Sequence, residues 1–166
     1  MVDEDNSNRP CRRTALIASE LSCCKIDIAA LSETRLADEG SLNEMGSGYT
    51  FFWKGLPATS RRIHGLGFAI RTKLLQTLPE SPVAISARLM TLRILLAKHR
   101  YATFISTYAP TLPPDDETKD HYHMMLRSTL MRVLRRDKLS VLGDFNGIAK
   151  NWLILRSGEM SWANTM

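Results

Sequence analysis

The sequence has 166 residues, the size of one ordinary domain, with 44% hydrophobic and 23% charged residues and a formal net charge of +5. That apolar content excludes a disordered chain, and the longest apolar runs fall well short of the roughly 20 residues that a membrane-spanning helix needs. Charge is unevenly divided: residues 1–50 carry −4, residues 51–110 carry +8 with Glu80 as their one acid, and residues 111–166 carry +1, so the middle of the chain is either a face for a polyanion or an ordinary solvated surface.

Residues 1–13 are polar and read as an irregular lead-in. They lack the basic patch and apolar run of a secretory leader. With an odd cysteine count (Cys11, Cys23 and Cys24), a disulfide framework is not expected. The adjacent Cys23 and Cys24 have no second pair to complete a tetrahedral zinc site. The expectation is a reduced, intracellular protein without a membrane segment.

Thr14 is placed as the cap of a helix over 15–24, where Ile17, Leu21 and Cys24 repeat at helical spacing. Residues 26–31 are dense in apolar side chains and predict a short buried strand that stops at Ser32-Glu33-Thr34-Arg35. Residues 38–48, with three glycines, read as a loop. Strands follow at 49–53 and 65–71; Gly65 and Gly67 inside the latter suggest a bulge or a close backbone approach. Residues 72–86 connect, residues 88–94 alternate as a strand, and Tyr101 to Tyr108 form another that Ala109-Pro110 ends. The longest helix spans 115–136, with acids in its first turn and Arg135, Arg136 and Lys138 at its end, as the helix dipole favours. Its buried stripe is Tyr122, Leu126, Thr129, Leu130, Val133 and Leu134. The strand 139–142 then stops at Gly143-Asp144-Phe145-Asn146. This order predicts a layered α/β domain with an antiparallel middle.

Two apolar strands thus end in acids, Glu33 and Asp144. In open α/β sheets, sites gather beyond the carboxyl ends of strands. Two carboxylates brought together there call for a hard divalent cation, and magnesium takes few protein carboxylates and keeps its waters. Asn146 follows Asp144 by two residues, placed to orient a phosphate or a neighbouring side chain. Asp144 and Asn146 are equally common turn formers. Tyr108 closes its strand with a hydroxyl able to donate to a phosphate oxygen, or packs as an edge aromatic. Arg61, Arg62 and Arg71 suit a nucleic-acid backbone or a solvated loop. His64, His99, His121 and His123 show no ligand pairing, and a surface or core role is expected for each.

The stretches Ala29-Ala30-Leu31-Ser32-Glu33-Thr34-Arg35, Ser106-Thr107-Tyr108-Ala109-Pro110 and Leu142-Gly143-Asp144-Phe145-Asn146 occur in that order. Together they resemble the endonuclease/exonuclease/phosphatase superfamily, and within it the retrotransposon-type branch that includes craniofacial development protein 2. The resemblance runs from about Arg12 to Asn146. It implies a two-sheet β-sandwich flanked by helices, and phosphodiester hydrolysis with Mg2+, or Mn2+ in its place, on nucleic acid, DNA before RNA. On the same resemblance Glu33 would be the metal ligand, Tyr108 the tyrosine near the scissile phosphate, Asp144 the acid that positions or activates water, and Asn146 the residue that orients the phosphate. The sequence departs from the family in two places: no apolar strand carrying an asparagine precedes the first helix, and no histidine follows His123. The expectation is therefore a partial domain over 14–150 with a divergent tail over 151–166. Three outcomes follow from it: a metal-dependent nuclease, an inactive remnant that binds nucleic acid or protein weakly, or a chain that does not fold stably alone; the departures favour inactivity.

Overall fold

The computed structural model describes residues 9–61, 63–111, 115–146, 151–156 and 159–164, with side chains for 13–61, 63–111 and 115–146. In chain order the elements are α1 (Arg9–Cys23), β1 (Ile28–Ser32), β2 (Glu39–Glu44), β3 (Tyr49–Gly55), β4 (Gly65–Arg71), β5 (Val83–Ser86), β6 (Leu89–Leu95), β7 (Tyr101–Tyr108), α2 (Asp116–Arg132), β8 (Lys138–Asp144), β9 (Asn151–Arg156) and β10 (Glu159–Asn164). One antiparallel sheet has the order β1-β4-β3-β2. The other has the order β10-β9-β8-β7-β6-β5 and is mixed, because α2 carries the chain back so that β7 and β8 run parallel.

The alternation in β4 shows how the layers assemble. Leu66, Phe68 and Ile70 point to one face and pack with Met90, Leu92 and Ile94 of β6 and Tyr108 of β7, which makes the core between the sheets. Ala69 lies on the other face, under Ala18 of α1, with Tyr49 and Phe51 completing that layer. A third cluster, Leu89, Ile105 and Val141, packs beneath Met125, Leu126 and Leu130 of α2. The result is helix, sheet, sheet, helix, the expected sandwich flanked by helices. Gly67 marks a close approach rather than a bulge: a Cβ there would sit 2.2 Å from the Phe52 carbonyl oxygen, and the ladders on both sides keep register.

Several boundaries differ from the sequence reading. The first helix starts at Arg9, with Pro10 in its first turn, where a missing N–H is tolerated. Thr14 is therefore inside the helix, and its hydroxyl donates to Glu44 Oε2 at 3.0 Å instead of capping. The segment 38–48 is not only loop but contains β2, a polar edge strand in which Gly40 leaves room for the Trp53 ring. The connection 72–86 includes a 3-10 turn and the short edge strand β5. Strands β9 and β10 pair antiparallel, and β9 also pairs with β8. In α2, Tyr122 and Thr129 are buried, whereas Leu134 lies beyond the helix end and is exposed. Among the described residues no helix is long and apolar enough to cross a membrane.

Candidate functional site

The site forms where the carboxyl end of β1 in one sheet meets the carboxyl ends of β7 and β8 in the other, and β1 touches both of those strands. Glu33 leaves β1 in a left-handed conformation, φ +52°, as do Arg35 and Asp38 in the loop that follows. Non-glycine residues rarely hold this conformation unless the surroundings enforce it. Here the loop is pinned by Thr34 N–H donating to Gly65 O at 3.1 Å, Asp38 N–H to Leu56 O at 2.9 Å and Trp53 Nε1–H to Ala37 O at 3.2 Å. These bonds fix where the Glu33 carboxylate emerges. A cleft of about 570 Å3 opens beside it, lined by Arg13, Ser32, Arg35, Phe51 and Trp53 among others.

In the other sheet the parallel register sets Tyr108 directly opposite Asp144. The two strands approach closely there because position 143 is glycine, with φ +141° and a would-be Cβ 1.8 Å from the Thr107 carbonyl oxygen. Ala109 N–H donates to the Asp144 carbonyl at 2.8 Å, which extends the pairing past the strand end. Asn146, also left-handed with φ +44°, turns back so that its N–H donates to Asp144 Oδ1 at 2.8 Å and its side-chain amide donates to Ala109 O.

Tyr108 joins the two halves. Its ring is buried in the inter-sheet core, and its hydroxyl donates to Glu33 Oε1 at 2.9 Å. Burial raises the Tyr108 pKa, the Glu33 hydrogen bond and charge raise it further, and Asn146 and Arg88 oppose them. The hydroxyl therefore stays protonated at neutral pH and acts as a donor. Glu33 itself is half exposed and pairs with Arg35 at 3.6 Å. The structure thus brings Glu33, Tyr108, Asp144 and Asn146 into one neighbourhood, with Glu33 and Asp144 linked through Tyr108 and Asn146 rather than by a bond of their own.

The three arginines fare differently. Arg61 is exposed in the loop before β4, and Arg62 lies outside the described residues. Arg71 sits at the opposite end of β4 from the cluster; its Nε donates to Asp27 Oδ1 at 2.8 Å and its guanidinium lies 5.1 Å from the Tyr49 ring centroid. Its charge is matched locally, and it is not brought to the site.

Two residues that the sequence reading did not select line the cluster. Arg88, just before β6, donates through Nη1 to Tyr108 O at 3.3 Å and stacks 5.3 Å from the Tyr108 ring centroid. Burial lowers its pKa against the opposing pull of Tyr108 and Tyr122, and among the described residues no carboxylate pairs with it. His64, just before β4, meets Arg88 Nη2 at 3.0 Å and tilts against Tyr108 with ring centroids 6.0 Å apart. Burial lowers the His64 pKa, Arg88 lowers it further, and Glu33 opposes them. Nothing in the spacing of His64 or Arg88 marks them in sequence; the one faint signal is that His64 precedes a glycine of the close-packed strand.

The fold recurs in solved structures. Humanized D. rerio TDP2 carrying 14 mutations matches with a TM-score of 0.59 at 14% identity, covering 87% of this chain and 63% of that one. D. rerio TDP2 complexed with a single-strand DNA product matches at 0.57 and 14%, covering 86% and 56%. The Xenopus laevis APE2 catalytic domain matches at 0.52 and 14%, covering 81% and 55%. The chain has the endonuclease/exonuclease/phosphatase fold. It spans less than two thirds of each of these three chains. No family model matches the sequence, and no curated protein matches it.

Among the described residues no group of three or more His, Cys, Asp or Glu side chains converges as a ready metal cage. The donor set that is present fits a different kind of ion site. Glu33 is half exposed and Asp144 is exposed, and hard carboxylate oxygens of this kind suit a magnesium ion that keeps most of its water.

Proposed function

We propose that this chain carries a divalent-metal-dependent phosphodiesterase site for nucleic acid, of the retrotransposon-type branch that its three ordered motifs resemble. One observation carries the reading: the Tyr108 hydroxyl from one sheet is hydrogen-bonded to Glu33 from the other, at the strand ends where Asp144 and Asn146 also emerge. When bound, magnesium would be held by Glu33, with Asp144 close by, and would neutralise charge that develops on the phosphate.

The chain's own residues supply the rest. Asp144 is exposed, and its Oδ1 is oriented by the Asn146 N–H, which supports this carboxylate as the group that takes a proton from an attacking water. Tyr108, kept neutral by burial and by Glu33, donates its one hydroxyl proton to the Glu33 carboxylate and so holds the metal ligand in place. Arg88 adds a positive charge with no carboxylate beside it among the described residues, which suits an anionic substrate. D. rerio TDP2 was solved with a single-strand DNA product, which supports DNA as the first substrate to try.

A second reading, binding without turnover, is favoured by the absence of a three-ligand cluster among the described residues. Supercoiled plasmid incubated with the purified chain separates the two. The nuclease reading expects nicked product with magnesium or manganese, lost in Glu33→Ala and in Asp144→Ala. Intact plasmid across both metals, together with retained oligonucleotide binding, would leave the binding reading standing.

A further inference from the structure

We propose that His64 donates a hydrogen bond from Nδ1 to a phosphate oxygen of the bound substrate, in the tautomer that Arg88 imposes. This deepens the reading of the site given above and rests on it for the identity of the substrate. A guanidinium can only donate, so the 3.0 Å contact of Arg88 Nη2 with His64 Nε2 makes Nε2 the acceptor. The ring is then neutral and its one proton is on Nδ1. That atom is buried, and no acceptor meets it in hydrogen-bond geometry among the described residues; the Ile63 backbone bears on the ring and raises its pKa, against burial and Arg88. A buried donor left unmatched is costly, and such groups in a native structure call for an explanation such as a missing ligand.

The surroundings define that ligand. The His64 ring leans on Tyr108, whose hydroxyl marks the reacting end of the site. Arg88 brings a cation that no carboxylate matches among the described residues, so the group received here carries negative charge. A second buried oxygen without a partner, Thr34 Oγ1, lies across the β1–β4 junction, where a Cβ on Gly65 would come within 2.4 Å of it. The His64 Nδ1 donor beside the Arg88 guanidinium suits an oxygen of a phosphoryl group, which accepts from several directions at once, and the Thr34 hydroxyl lies against Gly65, the residue next to His64.

The test uses the full chain, inorganic phosphate and no metal, so it does not depend on cleavage. Long-range proton–nitrogen spectra of the imidazoles should show His64 protonated at Nδ1 before phosphate is added, with Nδ1 the more strongly shifted nitrogen as phosphate is titrated in. His64→Ala should weaken phosphate binding about tenfold. His64→Asn, whose amide falls where Nδ1 was, should restore most of it, whereas His64→Gln, whose amide falls where Nε2 was, should not. A proton on Nε2, wild-type phosphate affinity in His64→Ala, or equal rescue by Asn and Gln would each overturn the proposal. Should the wild-type chain cleave nothing and still give the expected pattern, the hydrolase reading fails and the phosphate contact remains. If cleavage depends on Glu33 while phosphate binding ignores His64, the contact alone fails.

Discussion

Gly143 is the residue on which the geometry of the site depends most directly. A methyl group there would overlap the Thr107 carbonyl, in a conformation that side chains rarely adopt. Gly143→Ala is expected to destabilise the chain by roughly 2–4 kcal/mol, read as a lower urea midpoint, because the overlap is with backbone that has no rotamer to escape into. Where β8 survives the change, Asp144 should be displaced from its place beside Tyr108. Glu33, Asp144 and Asn146 were legible in sequence because each follows an apolar run that stops abruptly. Tyr108 was legible as the end of a strand that proline closes. His64 and Arg88 were not, because what they touch is decided by how β4, β6 and β7 stack, and no local period encodes that. Arg71 shows the converse: its charge drew attention in sequence, yet Asp27 and Tyr49 hold it at the far end of its own strand.

At the level of elements, the join between α2 and β8 is anchored by a pair the sequence did not announce. Asp137 is almost fully buried, with side-chain exposure of 1%, and it accepts from Arg93 Nε and Nη2 and from the Thr103 hydroxyl. The Arg93 hydrogen bonds hold its carboxyl below the usual carboxylate range, with Thr103 assisting and burial opposing. The folded pKa lies below the unfolded one. This contribution to stability is therefore fully present above the unfolded value and fades as pH falls through it toward the folded value. Asp137→Asn should cost roughly 3 kcal/mol at neutral pH. Urea unfolding should show the gap from wild type narrowing below about pH 4, where the unfolded carboxyl protonates; a gap constant from pH 7 to pH 3 would contradict the ionic account. The interior strands β4, β6, β7 and β8 were readable because two-sided burial concentrates apolar residues in them. The edge strands β2 and β5 were missed for the same physical reason: with one side facing water, Glu39–Glu44 has polar residues and a glycine where the pattern looks for apolar ones.

For the whole molecule, the sandwich could be named from motif order, but the arrangement of its strands could not be derived from periodicity. The sheet orders depend on pairings between segments far apart in the chain, such as Ile28 with Ile70 and Leu89 with Thr107. The excess of basic residues over 51–110 carries a prediction at this scale. If those side chains meet phosphates, oligonucleotide affinity should fall at least tenfold between about 50 and 200 mM salt, as followed by fluorescence anisotropy; an affinity indifferent to salt would mean that the charge merely solvates the surface. The two flanks of β8 differ in a way that bears on how the molecule breathes. β7 accompanies it from Lys138 to Asp144, whereas β9 pairs with it only at Leu139 and Ser140. Deuterium uptake should accordingly be slow near 139–140 and faster toward 142–144. The backbone that bears Asp144 is then held by a neighbouring strand on one side, while the root of β8 is held on both.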